Sequence, residues 1–334
     1  MKKKILIVAY NFPPSGSVGV LRTLRFLDEL SEEEWEPHVL TVKKGTFLTL
    51  EPSMNEKIKE SLEVHRTKSF EAFNTISSSA GFFQKFLKDI WFYFASPDIY
   101  VGWVPYAIKK GAEILKRQEF SVIYVSGKPF SSFLIGHYLS KKMGTPWVMD
   151  LRDLWTLNKR LLPKSPFHKY FEEYLERKCV HSASRVIVNT PDNKNDYLKS
   201  FTKEPKEKFM CITNGYDQGE FDEIRKDKFE KFTIGYCGNF YVNSTKRNRS
   251  LYSRVFNPKK KKSQLFETYS PQFIFESVEQ IFREVPELKD KIEFRFVGSG
   301  CKKAAEFMTE YNLEKNVKLE GWVSYKKNLE IMSR

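Results

Sequence analysis

Apolar residues along this chain come in short blocks separated by longer amphipathic stretches. Residues 5–10 read Ile, Leu, Ile, Val, Ala, Tyr without a polar interruption and stop at Asn11-Phe12-Pro13-Pro14. A continuous apolar run of that length, closed by turn residues, predicts a strand buried on both faces. Strands are predicted in the same way at 37–42, 62–66, 121–125, 147–150 and 185–189. Apolar positions spaced three and four apart predict helices at 18–30, 103–117, 131–142 and 167–181. A second cycle follows, with strands at 232–237, 291–297 and 317–320 and helices at 271–285, 301–311 and from 324 onward. Strands alternating with helices imply parallel sheets covered on both faces, an α/β fold throughout.

At ~150 residues per domain, 334 residues predict two domains. The charged stretch 217–231 is poor in large aliphatics and reads as a linker. The expected organisation is therefore an N-terminal Rossmann-like lobe over 1–220 and a C-terminal lobe over 231–334. Only three strands fall in the second lobe, against a mean sheet of ~5–6, so that lobe is expected to be incomplete and the chain truncated. One segment, 243–270, breaks the alternation: it carries Lys246, Arg247, Arg249, Arg254 and lysines 259–262. It reads as a mobile basic insertion, serving either phosphate or lipid headgroups or simply as a solvated charge run.

With 41% hydrophobic and 29% charged residues, the composition fits a folded soluble chain. The 56 basic against 42 acidic residues leave a charge of +14, enough to attract phosphates, anionic lipid or nucleic acid. No nucleic-acid-binding motif accompanies that charge, and no aromatic residues interleave with lysines 259–262, so nucleic acid is not an expected partner. The cysteines at 179, 211, 237 and 301 are too widely spaced for a zinc cluster, and no metal site is expected from them. The run 5–10 is too short for a signal peptide, and the most apolar segment, 91–104, is interrupted by Pro97 and Asp98. A cytoplasmic location is expected, with peripheral contact to the inner membrane face. For that contact, Phe82, Phe83, Phe86, Trp91, Phe92 and Phe94 interleave with Lys85 and Lys88, a pattern that suits an interfacial helix as well as a core helix.

Several strand ends carry chemistry-bearing residues. After the first strand, Ser15-Gly16-Ser17-Val18-Gly19 opens a helix bearing Arg22 and Arg25. A strand–loop–helix turn of this kind presents backbone amides to an anion, and its glycines serve equally as ordinary loop positions. The strand at 147–150 runs into Asp150-Leu151-Arg152-Asp153-Leu154-Trp155, at the sheet edge where open α/β sheets bind ligands. Asp150 and Asp153 could orient or deprotonate an acceptor hydroxyl, with Arg152 on a phosphate; the other reading is a structural Arg–Asp pair with Trp155 in the core. Asn214-Gly215 predicts a turn. In the second lobe, Gly238-Asn239 and Gly298-Ser299-Gly300 follow strands directly and would let a nucleotide approach the backbone.

Taken in order, these segments resemble the family 4 retaining glycosyltransferases of the two-lobed GT-B type. The resemblance spans the chain and rests on Phe12-Pro13-Pro14-Ser15-Gly16, Glu36-Pro37-His38-Val39-Leu40-Thr41, the Asp150–Trp155 segment, Thr213-Asn214-Gly215-Tyr216-Asp217, Phe296-Val297-Gly298 and Leu319-Glu320-Gly321-Trp322-Val323. It implies transfer of a hexosyl group from a UDP- or GDP-sugar to a hydroxyl of a glycan or lipid-linked acceptor. Retention is implied, in cell-envelope or exopolysaccharide biosynthesis, with no cofactor beyond the nucleotide-sugar and no metal. The alternative is a truncated, catalytically impaired relative that binds glycan. By the same resemblance, Ser15, Gly16, Gly19 and Arg22 would bind the donor phosphates. Asp150, Arg152 and Asp153 would act on the acceptor side, and Gly238, Asn239, Gly298, Gly321, Trp322 and Val323 would line the nucleotide side. The family's Glu-x7-Glu motif lies beyond the last segment matched, and its diphosphate-neutralising Arg or Lys falls where the basic insertion begins.

Overall fold

A computed structural model describes residues 2–43, 47, 50–70, 82–158, 163–224, 227–240, 270–298 and 300–334. The basic insertion expected at 243–270 lies, but for Ser270, outside them. The chain divides into two compact units, Met1–Asn214 and Gly215–Arg334. Each is built on a parallel sheet, and together they are two Rossmann-like lobes, the second smaller.

In the first unit the strands are β1 (Lys3–Ala9), β2 (Trp35–Val42), β3 (Glu63–Thr67), β4 (Val122–Gly127), β5 (Trp147–Leu151), β6 (Arg185–Val188) and β7 (Phe209–Cys211). They lie in the order β3-β2-β1-β4-β5-β6-β7, all parallel. Strand order reverses between β1 and β4, which makes the C-terminal ends of those strands the ligand crevice of a doubly wound sheet. The apolar run predicted as a two-face-buried strand is that: Leu6, Ile7 and Val8 are all at most 1% exposed. Helices α1 (Val18–Glu29), α2 (Phe82–Phe94), α3 (Val104–Arg117), α4 (Ser131–Met143), α5 (Pro166–Ser182) and α6 (Pro191–Ser200) connect them. Trp147 and Trp155 are buried in the core, with Trp155 stacked on Phe130 at 5.3 Å and 4°.

The second unit holds α7 (Gln218–Asp222), β8 (Phe232–Cys237), α8 (Pro271–Glu284), β9 (Ile292–Val297), α9 (Cys301–Glu310), β10 (Val317–Gly321) and α10 (Tyr325–Met332). Its sheet runs β10-β9-β8, parallel, over a core of phenylalanines including Phe275, Phe294 and Phe296. Two details differ from the sequence expectation. The stretch read as a plain linker contains α7, capped by Asp217 accepting from the Gly219 amide. Residues 212–217 form no turn at Asn214-Gly215, because the Asn214 side chain is engaged elsewhere.

Candidate functional site

At the C-terminal edge of the first sheet, the loop after β1 is tied down from several sides. Asn11 Nδ2 donates to the Lys128 carbonyl at 3.1 Å, Arg66 Nη2 donates to the Pro13 carbonyl at 2.8 Å, and the Glu51 amide donates to the Pro14 carbonyl at 2.9 Å. Ser15 is buried, and its hydroxyl accepts from the Ser17 amide at 3.4 Å. Ser17 in turn caps α1, its hydroxyl accepting from the Gly19 amide at 3.4 Å. Two amides of this loop and helix start, where an anion was expected, are thus served by the loop's own hydroxyls. Gly16, half-buried, sits between them.

Arg22 leaves the first turns of α1 and is buried. Its Nε and Nη2 donate to Asp150 Oδ2 and Oδ1 at 2.9 and 2.8 Å, a bidentate pair. The remaining donors go to Ile212 O (3.0 Å), Thr213 O (3.3 Å) and Asn214 Oδ1 (3.1 Å). A guanidinium has five N–H donors, and these five contacts use them all. Burial opposes the Arg22 charge, but Asp150 and Tyr124 outweigh it and hold its pKa above the ordinary value. Asp150 is fully buried and also accepts from Tyr124 Oη at 2.6 Å. Burial and the neighbouring Asp150 carboxylate push the Tyr124 phenol well above its usual range, so it stays a donor.

Arg152 occupies a different environment. Its Nε and Nη2 donate to the carbonyls of Gly127 and Lys128 at 2.7 and 2.8 Å, and burial lowers its pKa against the pull of Asp150 and Asp153. Gly19 packs directly on it: a Cβ there would lie 1.5 Å from Arg152 Nη1. Among the described residues, no hydrogen bond from Nη1 accompanies those two. Asp153 is exposed, 3.4 Å from Lys128 Nζ. The structure therefore brings Arg22 to Asp150 and Gly19 to Arg152, and it separates the two carboxylates, one fully buried and one at the surface.

At the C-terminal edge of the second sheet, three strand-end glycines converge. The Gly238 amide donates to the Val297 carbonyl at 2.8 Å, and the Gly298 amide to the Gly321 carbonyl at 2.7 Å. Gly298 has φ +136°, and a Cβ on it would stand 1.8 Å from the Gly238 carbonyl oxygen, so no other residue fits. Gly300 begins α9 at φ +96° with no side-chain cap, unlike α1. Asn239 and Trp322 are exposed and Val323 is half-buried beside this edge.

Tyr124, Arg66 and Lys128 were not singled out in the sequence, and Asn214 was read there as a turn residue. Ser126-Gly127-Lys128-Pro129 at the end of β4 carries the same strand-end signal used elsewhere, and it could have found Lys128; Tyr124 and Arg66 lie within strands, where only tertiary packing reveals their contacts.

The two parallel sheets, each closing a Rossmann-like lobe and each gathering loops at its C-terminal edge, define the GT-B class of fold. No family model matches the sequence, and no curated sequence is significantly similar to it. Solved structures are similar. Sucrose-phosphate synthase from Thermosynechococcus elongatus superposes with a TM-score of 0.62 at 13% identity, over 99% of this chain and 73% of its own. TarM does so at 0.56 and 12%, over 99% and 79%. The catalytic domain of starch synthase IV from Arabidopsis thaliana, bound to ADP and acarbose, does so at 0.52 and 10%, over 99% and 76%.

Proposed function

We propose that this chain is a glycosyltransferase that moves a sugar from a UDP- or GDP-sugar to a hydroxyl of a glycan or lipid-linked acceptor. The reading extends to retention at the anomeric carbon and to a role in cell-envelope or exopolysaccharide assembly at the inner membrane face. The observation that carries it is the start of α9 at Gly300, without a side-chain cap among the described residues, on a lobe of this fold where Gly238, Gly298 and Gly321 stand at the strand ends. Such a helix start presents its first-turn amides to an anion and suits a diphosphate.

In this reading the bond between the anomeric carbon and the diphosphate oxygen breaks, and the charge developing on the diphosphate is met by the α9 amides. At the first-unit edge, Arg152 and Lys128 supply fixed positive charge. Asp153 is the exposed carboxylate able to orient an acceptor hydroxyl and take its proton. Asp150 and Arg22, each saturated by the other and by its neighbours, act as positioning residues that hold α1, β5 and residues 212–214 together. A membrane-facing surface fits the same role: Phe167, Tyr170, Phe171 and Tyr174 form an exposed aromatic face of α5. Lys164 just before that helix donates to the Phe92 and Ala95 carbonyls at the end of α2, where Phe92 and Phe94 are also exposed. The side chains of Phe82, Phe83, Lys85 and Lys88 lie outside the described residues.

Calorimetric titration of the full chain with UDP and with GDP tests the nucleotide half of the proposal. One of the two is expected to bind in the range of about 1 μM to 1 mM typical of enzyme substrates, and Gly298→Ala is expected to abolish it. Binding of neither nucleotide to the wild-type chain would overturn the reading. Product anomeric configuration by NMR then decides retention.

A further inference from the structure

On the edge of the first sheet, at the end of the strands away from the C-terminal crevice, three side chains face one another. The parallel register sets His38 of β2 beside Glu63 of β3 and Leu40 beside His65, so with the period-two alternation of strands His38, Glu63 and His65 share one face. His38 Nδ1 lies 3.1 Å from Glu63 Oε2, His65 Nε2 lies 3.3 Å from Glu63 Oε1, and His38 Nδ1 lies 3.4 Å from His65 Nε2. Four atoms bound to a tetrahedral zinc ion at ~2.0–2.1 Å stand about 3.3 Å apart. Each of the three spacings is close to that edge length, the two imidazole nitrogens meeting different oxygens of the one Glu63 carboxylate, and one ligand atom from each residue lies within 4.8 Å of the others.

His38 Nε2 lies 3.1 Å from Glu36 Oε1 and 3.4 Å from Gln118 Nε2, which leaves Nδ1 as the ring atom turned towards Glu63 and His65. His65 Nε2 adds a second nitrogen to that group. The Glu36–His38 contact is also the carboxylate–histidine arrangement that orders a ligating imidazole. His38 itself is buried, edge-on to Phe120 at 5.0 Å, whereas the Glu63 side chain is 60% exposed and leaves a path for the ion and for a water as fourth ligand.

We infer that His38, Glu63 and His65 form a divalent-metal site of the zinc class, pinning edge strand β3 to β2. It stands apart from the proposed sugar transfer and does not depend on it. No sequence motif points to it, because His38 on β2 and Glu63 on β3 stand 25 residues apart.

The test uses the full chain, stripped by chelator and dialysed against zinc chloride. One zinc per chain is expected at micromolar free metal. Glu63→Gln and His65→Gln should each weaken uptake at least tenfold, Glu36→Gln by about 10–100-fold through the lost orienting contact. X-ray absorption should show only nitrogen and oxygen neighbours near ~2.0 Å, since sulfur would appear at ~2.3 Å. No uptake by the wild-type chain, equal uptake by the Glu63→Gln variant, or a sulfur shell pointing to the cysteines would each overturn the inference. Glu63 is largely exposed, so its variant remains decisive should His65→Gln fail to fold.

Discussion

Replacing Asp150 by Asn tests whether the buried cluster holds the lobe together or performs chemistry. The substitution keeps the shape and removes the charge that compensates Arg22. Breaking a buried ion pair from one side costs about 3–5 kcal/mol. Arg22 retains Ile212 O, Thr213 O and Asn214 Oδ1, which moves the figure to the lower end. In either orientation the new amide –NH2 faces an Arg22 N–H, donor against donor, which prevents further recovery. About 3 kcal/mol in a unit of this size lowers the melting temperature by about 6–12 °C. Tryptophan fluorescence is the natural readout, since all of the chain's six tryptophans except Trp322 lie in the first unit. A variant that melts within about 2 °C of wild type and yet loses sugar transfer would refute the positioning role and return Asp150 to the chemistry.

Gly19→Ala should lower the same transition by an amount equivalent to about 2 kcal/mol, because its Cβ would displace the Arg152 guanidinium from two charge-assisted hydrogen bonds; unchanged melting would show that Arg152 moves freely. Burial raises the carboxyls of Glu176 and Asp98 above their ordinary values of 4.5 and 3.8, so the folded chain keeps protons that the unfolded chain has released. Their contribution is therefore most favourable at low pH and declines as pH rises from those values through the raised folded ones. Glu176→Gln cannot titrate, and the fall in melting temperature between pH 4.5 and 7 should be shallower in it than in wild type; parallel curves would contradict this. Tyr170→Glu/Tyr174→Glu should reduce co-flotation with vesicles containing anionic lipid, and equal flotation would remove the membrane face from the proposal.

Most of the α/β alternation of the first sheet was legible because β1, β4, β5, β6 and the second half of β2 are buried on both faces and so read as apolar runs. Two elements without such a run went unlisted. β7 is a three-residue edge strand whose middle residue, Met210, is exposed. α6 buries only Tyr197 and has no apolar stripe, so the three-and-four spacing that predicts the other helices is absent from it. The Asn214-Gly215 turn was a sound local inference that lost to a long-range contact with Arg22. At the crevice, Arg22 and Asp150 were both picked out, but under separate roles. They are 128 positions apart, and nothing local says that α1 delivers one onto the strand carrying the other. The strand-end glycines were visible as letters; that Gly298 must lack a Cβ because Gly238 stands against it was not.

The five-way grip of Arg22 also has a consequence in time. One of its partners is Asn214, 192 positions later in the chain. During synthesis at ~5–20 residues per second, α1 waits roughly 10–40 s for the segment that completes its contacts. Through that interval a guanidinium and then, from Asp150 onward, a carboxylate are committed to a forming core with acceptors still missing. The first unit thus has no early, locally closed intermediate that contains this cluster, and its last hydrogen bonds report that the whole sheet, from first strand to last, has been laid down.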